Sequence, residues 1–228
     1  MDPLPLPDAT GGPAPARVAL VTGFDPFDGG DRNPSALVAQ ALHGRTLAGH
    51  AVVGAVLPTE FGRALPALEA LMDRHRPAVV LCCGLAGGRA AVSFERVAIN
   101  LQDARIPDNA GRQPVDLPVV PGAPAAYFAS VPVKAMREAL ARAGIPAEVS
   151  HTAGTFVCNH VFYGLMHRLV TAGEGGAGLR GGFVHLPWLP GQGTPGLPLD
   201  TQVAGLALAL ECALTTHDDL RQAGGSLH

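Results

Sequence analysis

Short apolar runs alternate with amphipathic stretches along most of this chain, and no other property narrows its fold so far. Val18 to Val21, Val52 to Leu57, Ala78 to Cys83 and Phe183 to Leu186 read as buried strands, with Glu148 to Ser150 a weaker candidate. Helical patterns lie between them. Asn33 followed by Pro34 supplies an N-cap and a first-turn proline for a helix through about Leu42. Phe61, Leu65, Leu68 and Met72 mark the apolar stripe of a second helix. Ser130 is expected to cap a third, with Val133, Met136 and Leu140 inward. Val161, Phe162, Leu165, Met166, Leu169 and Val170 make a wide stripe for a fourth, and Val203, Leu206, Leu210 and Leu214 line a fifth, capped by Asp200. Strands and helices in this order imply an α/β fold, with a mostly parallel sheet covered on both faces and ligands at the carboxyl ends of its strands.

Length and composition set the remaining bounds. A chain of 228 residues fits one large α/β domain. Residues 1–16 are rich in Pro, Gly and Ala without periodicity and read as a loose leader, so the fold is expected over 17–228. The stretch from Phe94 to Tyr127 is polar, Pro-rich and long for a connection, which points to function, whereas Gly173 to Gly182 reads as a flexible link. A formal charge of −3 argues against nucleic acid as a partner. Lys134, the only lysine, leaves little room for Schiff-base chemistry or lysine-led nucleotide binding. The four cysteines form no C-x-x-C pair, which disfavours disulfides and zinc and fits a reducing compartment. No apolar run of about 18 residues is present to span a membrane, and the start lacks the basic residues of a signal peptide, so a cytoplasmic protein is expected.

Candidate chemistry centres on Cys158, within Thr152-Ala-Gly-Thr-Phe-Val-Cys-Asn-His160, between a strand and a strongly amphipathic helix. A thiol at a helix N-terminus feels the positive end of the macrodipole, which favours thiolate. Cys82, Cys83 and Cys212 sit among apolar residues and read as core. His185, at the carboxyl end of the last strand, is the best-placed base. His160 follows Cys158 by two residues, about 200° around the helix, and reads as packed or capping. His43, His50, His75, His167, His217 and His228 read as solvent-facing. Glu95 lies in an otherwise buried strand and needs a partner, either His185 as the third member of a triad or the adjacent Arg96. Gly84-Leu-Ala-Gly-Gly-Arg89 follows a strand; as an anion cradle it lacks the Lys-Ser/Thr ending of a phosphate loop, and it reads more simply as a tight turn.

Taken together, these segments resemble the pyroglutamyl peptidase I, or pyrrolidone-carboxylate peptidase, family of cysteine exopeptidases. The resemblance runs from Val18 to His228. It is carried by Val21-Thr-Gly-Phe-Asp-Pro-Phe-Asp-Gly-Gly30, Asn33-Pro34, the Gly84 to Arg89 turn, Glu95-Arg-Val-Ala-Ile-Asn100, Ala104-Arg-Ile-Pro-Asp-Asn109, Thr152 to His160 and Gly181-Gly-Phe-Val-His-Leu-Pro-Trp188. It implies a single-domain three-layer α/β/α sandwich around an open twisted sheet, no metal, no organic cofactor and commonly a homotetramer. It implies a triad of Glu95, Cys158 and His185, with Arg105 and the Cys158 N–H stabilising an oxyanion. Phe24, Phe27 and Phe156 match the family's aromatic pocket, and Asn33 a polar contact in it. The implied substrates are peptides with N-terminal pyroglutamate. Three departures bear on specificity: Leu85 where Gln is common, Trp188 for a usual Tyr, and Pro190-Gly-Gln192 without a usual Glu. The alternatives are a binding protein that keeps the pocket without turnover, disfavoured by the intact triad, and a transferase using the Gly84 turn, disfavoured by the missing phosphate loop.

Overall fold

The structure is a computed structural model that describes residues 17–173, 178–223 and 225. The expected leader, His228 and part of the Gly173 to Gly182 link lie outside the described residues. Nine strands and five helices follow one another as β1 (Val18–Phe24), α1 (Pro34–Leu42), β2 (Thr46–Leu47), β3 (His50–Leu57), α2 (Ala64–His75), β4 (Val79–Leu85), β5 (Val92–Glu95), β6 (Val97–Ile99), β7 (Ala126–Phe128), α3 (Val133–Arg142), β8 (Ala147–Ser150), α4 (Val157–Thr171), β9 (Arg180–Leu186) and α5 (Leu199–Thr215) among the described residues. The main sheet has the order β2-β3-β1-β4-β9-β5-β8. Strands β3, β1, β4 and β9 run parallel. Only residues 86–91 join β4 to β5, too few for a crossover helix, so β5 returns antiparallel against β9 and carries β8 parallel to itself.

Both faces of the sheet are covered. Alternation sends Leu81, Cys83, Phe94, Val184 and Leu186 into a core shared with α1, α3 and α5. Leu20, Val80, Cys82 and Phe183 go to the opposite face, against α2 and α4. The three-layer α/β/α arrangement and the mostly parallel sheet are therefore as expected.

Several local expectations change. Asn33 caps α1 as read, accepting from the Ser35 N–H at 3.1 Å. Ser130 does not cap α3, whose cap position is Pro132; the Ser130 hydroxyl accepts from the Gly181 N–H instead, tying the approach to α3 onto β9. Asp200 lies inside the first turn of α5, where its charge still favours the dipole, and Pro198 holds the cap position. Val170 falls off the apolar stripe of α4 and is 63% exposed. The long segment after Phe94 contains β6, paired antiparallel with β7, and a bridge between Gln102 and Leu117. Gly181 and Gly182 belong to β9 rather than to a loose link. His50 is buried, His167 bonds the Tyr127 hydroxyl at 2.9 Å, and Cys212 is only partly buried.

The adjacent Cys82 and Cys83 are completely buried, as expected. Burial pushes the Cys82 thiol up to about 12 and Cys83 well above its ordinary value. A raised thiol pKa leaves stability intact below the unfolded value. As pH climbs past about 9, unfolded thiols ionise while the folded ones stay protonated, so stability falls. The expected loss is about 1.4 kcal/mol per pH unit for each thiol. Urea midpoints taken at rising pH should drop steeply for the native chain and less steeply for Cys83→Val. Parallel slopes would remove these thiols as the cause.

Candidate active site

The site is assembled at the carboxyl ends of β4 and β9. These strands run side by side in a register that sets Gly84 against His185. After β8 the chain reaches the N-cap of α4 at Phe156, which puts Cys158 in the first helical turn. There the helix start lies so close to the sheet that a Cβ built on Gly84 would sit 2.7 Å from Cys158 Sγ and 3.0 Å from Phe183 Cζ. The sulfur thus occupies the space that any other residue at position 84 would fill, above the rung that holds His185.

Glu95 ends β5, and the antiparallel return of that strand places it opposite Phe183. Strand alternation turns both side chains toward α4. His185 Nδ1 lies 2.7 Å from Glu95 Oε1, with Glu95 fully buried and His185 nearly so. A carboxylate accepts, so Nδ1 carries the hydrogen and Nε2 is left as the basic nitrogen. Arg89 Nη1 donates to the same oxygen at 2.7 Å, and its Nη2 donates to the Thr152 carbonyl at 3.1 Å. Glu95 Oε2 is buried without a partner among the described residues. The cation beside Glu95 is therefore Arg89 and not Arg96, which lines a separate groove with Phe128 and His217.

The electrostatics at Cys158 differ from the expectation of a lowered pKa. Burial pushes the thiol up to about 12, Glu95 pushes the same way, and the Arg89 guanidinium pulls down. Desolvation is the largest of these influences. A thiol shifted in this direction becomes a better nucleophile as a base takes its proton. His160 is not that base: it packs edge-on against Phe61 at 5.6 Å, and burial followed by Arg112 lowers its pKa to about 4.

The sequence-expected pocket residues divide. Phe27 and Phe156 are half-buried with ring centroids 6.0 Å apart, and Phe61 meets Phe156 edge-on at 5.4 Å. Phe24 is only 2% exposed and packs toward Phe183 in the core, so its side chain offers no pocket surface. Asn33 is equally buried and is used locally, its Nδ2 donating to the Asp25 carbonyl and its Oδ1 capping α1. A cleft of about 770 Å³ beside the site is lined by Phe27, Leu85, Arg105, Trp188 and Gln192, among others. Arg105 is exposed, and its guanidinium has no partner among the described residues. Its segment is held to the loop before Cys158, with the Thr155 hydroxyl donating to the Asp103 carbonyl at 2.6 Å and Asp103 N–H to Thr155 O at 3.1 Å.

Two of the departures also find a physical setting. The Trp188 indole lies against Gly87 and Gly193, where a Cβ would come within 2.4 and 2.2 Å of the ring. Gly191 takes a φ of +87°, which a Glu would reach only with strain. Sequence reasoning missed Arg89 as the partner of Glu95, and it put Phe61, a core residue, on a helix that begins only at Ala64. It also missed what Asn159 does: fully buried, it accepts from the Ile99 N–H and donates to the Ile99 and Leu101 carbonyls, pinning the first turn of α4 to β6. A polar residue inside an otherwise apolar helical stripe was the available signal.

A neutral thiol, an imidazole and a buried carboxylate gathered at strand ends of an α/β/α sheet are the equipment of a cysteine-type hydrolase. A family model for pyroglutamyl peptidase matches residues 17–216. The chain belongs to the pyroglutamyl peptidase family. It is 52% identical over 214 residues to pyrrolidone-carboxylate peptidase 1 of Ralstonia nicotianae, covering 92% of this chain and 98% of the relative. It is 46% identical to the pyrrolidone-carboxylate peptidase of Bacillus cytotoxicus over 217 residues, covering 93% and 100%. Among solved structures, pyroglutamyl peptidase I of Bacillus amyloliquefaciens superposes with a TM-score of 0.85 at 43% identity, covering 90% of this chain and all of that one. A mutant pyrrolidone carboxyl peptidase of Pyrococcus furiosus superposes at 0.82 and 39% identity, covering 86% and 98%.

Proposed function

We propose that this chain is a cysteine exopeptidase that hydrolyses the bond following an N-terminal pyroglutamyl residue, with Cys158 as nucleophile, His185 as base and acid, and Glu95 as the group that orients His185. The observation that carries the reading is the 2.7 Å bond from His185 Nδ1 to buried Glu95, on the sheet face where Cys158 Sγ lies over Gly84. Family membership supports it independently.

The chemistry follows from those protonation states. As Cys158 Sγ attacks the pyroglutamyl carbonyl carbon, its proton passes to His185 Nε2, and Glu95 stabilises the imidazolium. The carbonyl oxygen becomes an oxyanion facing the Cys158 backbone N–H in the first turn of α4, with Arg105 as a second donor. Collapse breaks the C–N bond while His185 returns the proton to the departing amine, leaving a thioester on Cys158. Water then attacks that thioester, giving its proton to His185, and free pyroglutamate leaves with the thiol restored.

Pyroglutamyl is a flat, uncharged lactam with one N–H and one C=O. The half-buried rings of Phe27 and Phe156 offer uncharged faces and edges to such a group, with Phe61 packed behind Phe156, and Leu85 contributes apolar surface rather than a side-chain hydrogen bond. The proposal extends to residues 17–228 acting as one catalytic unit, and to a homotetramer in the reducing cytoplasm. No helix among the described residues is long and apolar enough to cross a membrane.

Hydrolysis of paired coumarin amides tests this reading. Purified, reduced protein should cleave the pyroglutamyl amide and turn over the prolyl amide, which lacks the lactam carbonyl and carries a protonated ring amine, at least about 100-fold more slowly. Absence of pyroglutamyl hydrolysis by folded protein would overturn the activity, and comparable prolyl turnover would overturn lactam recognition.

A further inference from the structure

We propose that Arg89 is a positioning residue for the reaction: its forked guanidinium holds Glu95 in place beneath His185 and ties that carboxylate to the loop that delivers Cys158. The inference rests on the triad proposed above.

Three observations carry it. First, Arg89 and His185 both donate to Glu95 Oε1 at 2.7 Å, while Oε2 has no partner among the described residues. A fully buried carboxylate held by a single N–H is poorly compensated, because burial removes it from water without supplying a countercharge. The guanidinium supplies both the countercharge and a second fixed donor, so it limits rotation of the Glu95 carboxyl about its last torsion. Second, the other arm of the fork reaches the Thr152 carbonyl at 3.1 Å. Thr152 belongs to the short loop between β8 and α4, so a single side chain spans the orienting carboxylate and the approach to the nucleophile. Third, the Arg89 side chain is 26% exposed while Glu95 is shut away completely. The guanidinium therefore stands between the carboxylate and water, where a planar group with two parallel donors does what a lysine does less well.

Arg89 touches neither the reacting carbon nor the sulfur in this account, and its removal should act on turnover rather than on substrate affinity. With the full chain and a pyroglutamyl coumarin amide, Arg89→Met is expected to lower kcat by about 10- to 100-fold, the range seen when an outer partner of a working side chain is lost. KM should stay within about threefold, since the aromatic pocket is untouched. Arg89→Lys should recover part of kcat, and guanidinium ion should partly rescue Arg89→Ala. Because Arg89 works through Glu95, Arg89→Met combined with Glu95→Gln should be no more than about threefold slower than Glu95→Gln alone.

A kcat for Arg89→Met within about threefold of the parent overturns the proposal, as do fully multiplicative effects in the double variant. It also fails if neither Arg89→Lys nor guanidinium restores turnover to a folded variant, because Arg89 is then only a structural part of the turn. These outcomes are separable from failure of the triad itself, which shows as an active Cys158→Ser enzyme whatever stands at position 89.

Discussion

Cys158→Ser is expected to lose about 10⁴-fold in kcat/KM for a pyroglutamyl amide while keeping the parent's thermal midpoint. The substitution is nearly isosteric, and the sulfur packs over Gly84, so the fold has little to lose. The chemistry has much to lose. A serine hydroxyl is far harder to deprotonate than even a buried thiol near 12, and the Glu95–His185 pair is not matched to it. Alkylation supplies a companion measurement that needs no substrate. Burial keeps the Cys158 thiol neutral, so its reaction with iodoacetamide at neutral pH depends on transfer of the proton to His185, and His185→Ala should slow it at least about tenfold. A serine variant within about tenfold of the parent would remove Cys158 from the mechanism. Undiminished alkylation of His185→Ala would show a preformed thiolate and a different route of activation.

Gly84→Ala is the second large effect, expected to lower kcat about 100-fold, with a modest loss of stability of about 1–3 kcal/mol. Its methyl group would need the place held by Cys158 Sγ, 2.7 Å away, and would press on the Phe183 ring at 3.0 and 3.2 Å. The sulfur is the most easily moved of these, because rotation of one side-chain torsion carries it off. That rotation takes it away from the rung where His185 stands. Truncating the sulfur should relieve the crowding, so the thermal midpoint of Gly84→Ala with Cys158→Ala should exceed that of Gly84→Ala alone. A fully active Gly84→Ala enzyme would mean that Sγ reaches the substrate from a different rotamer.

Much of this molecule was legible in its residues for simple reasons. The β1, β4 and β9 strands are buried on both faces, so they announce themselves as largely apolar runs. Asn33-Pro34 specified the start of α1 through cap chemistry that operates within three residues. The proposed nucleophile, base and carboxylate were each marked by a polar side chain at the end of an apolar strand or the start of an apolar helix.

What escaped depended on distant geometry. Nothing local distinguishes Arg89 from Arg96 as the partner of Glu95; the choice is made by the turn from β4 that swings Arg89 back over the sheet end. Phe24 and Phe27 lie three residues apart in one motif, yet the end of β1 lies between them, which sends one ring into the core and the other to the cleft. The raised pKa of Cys158 likewise depends on how neighbouring elements pack around it, which no run of residues reveals.

The indole pressed between Gly87 and Gly193 has one more consequence. Trp188 is the only tryptophan in the chain, and it stands in the wall of the cleft that adjoins the proposed site. The protein therefore carries its single indole fluorophore at the position where an arriving peptide would displace water. Its emission offers an optical record of cleft occupancy from unlabelled protein, free of background from indoles elsewhere in the molecule.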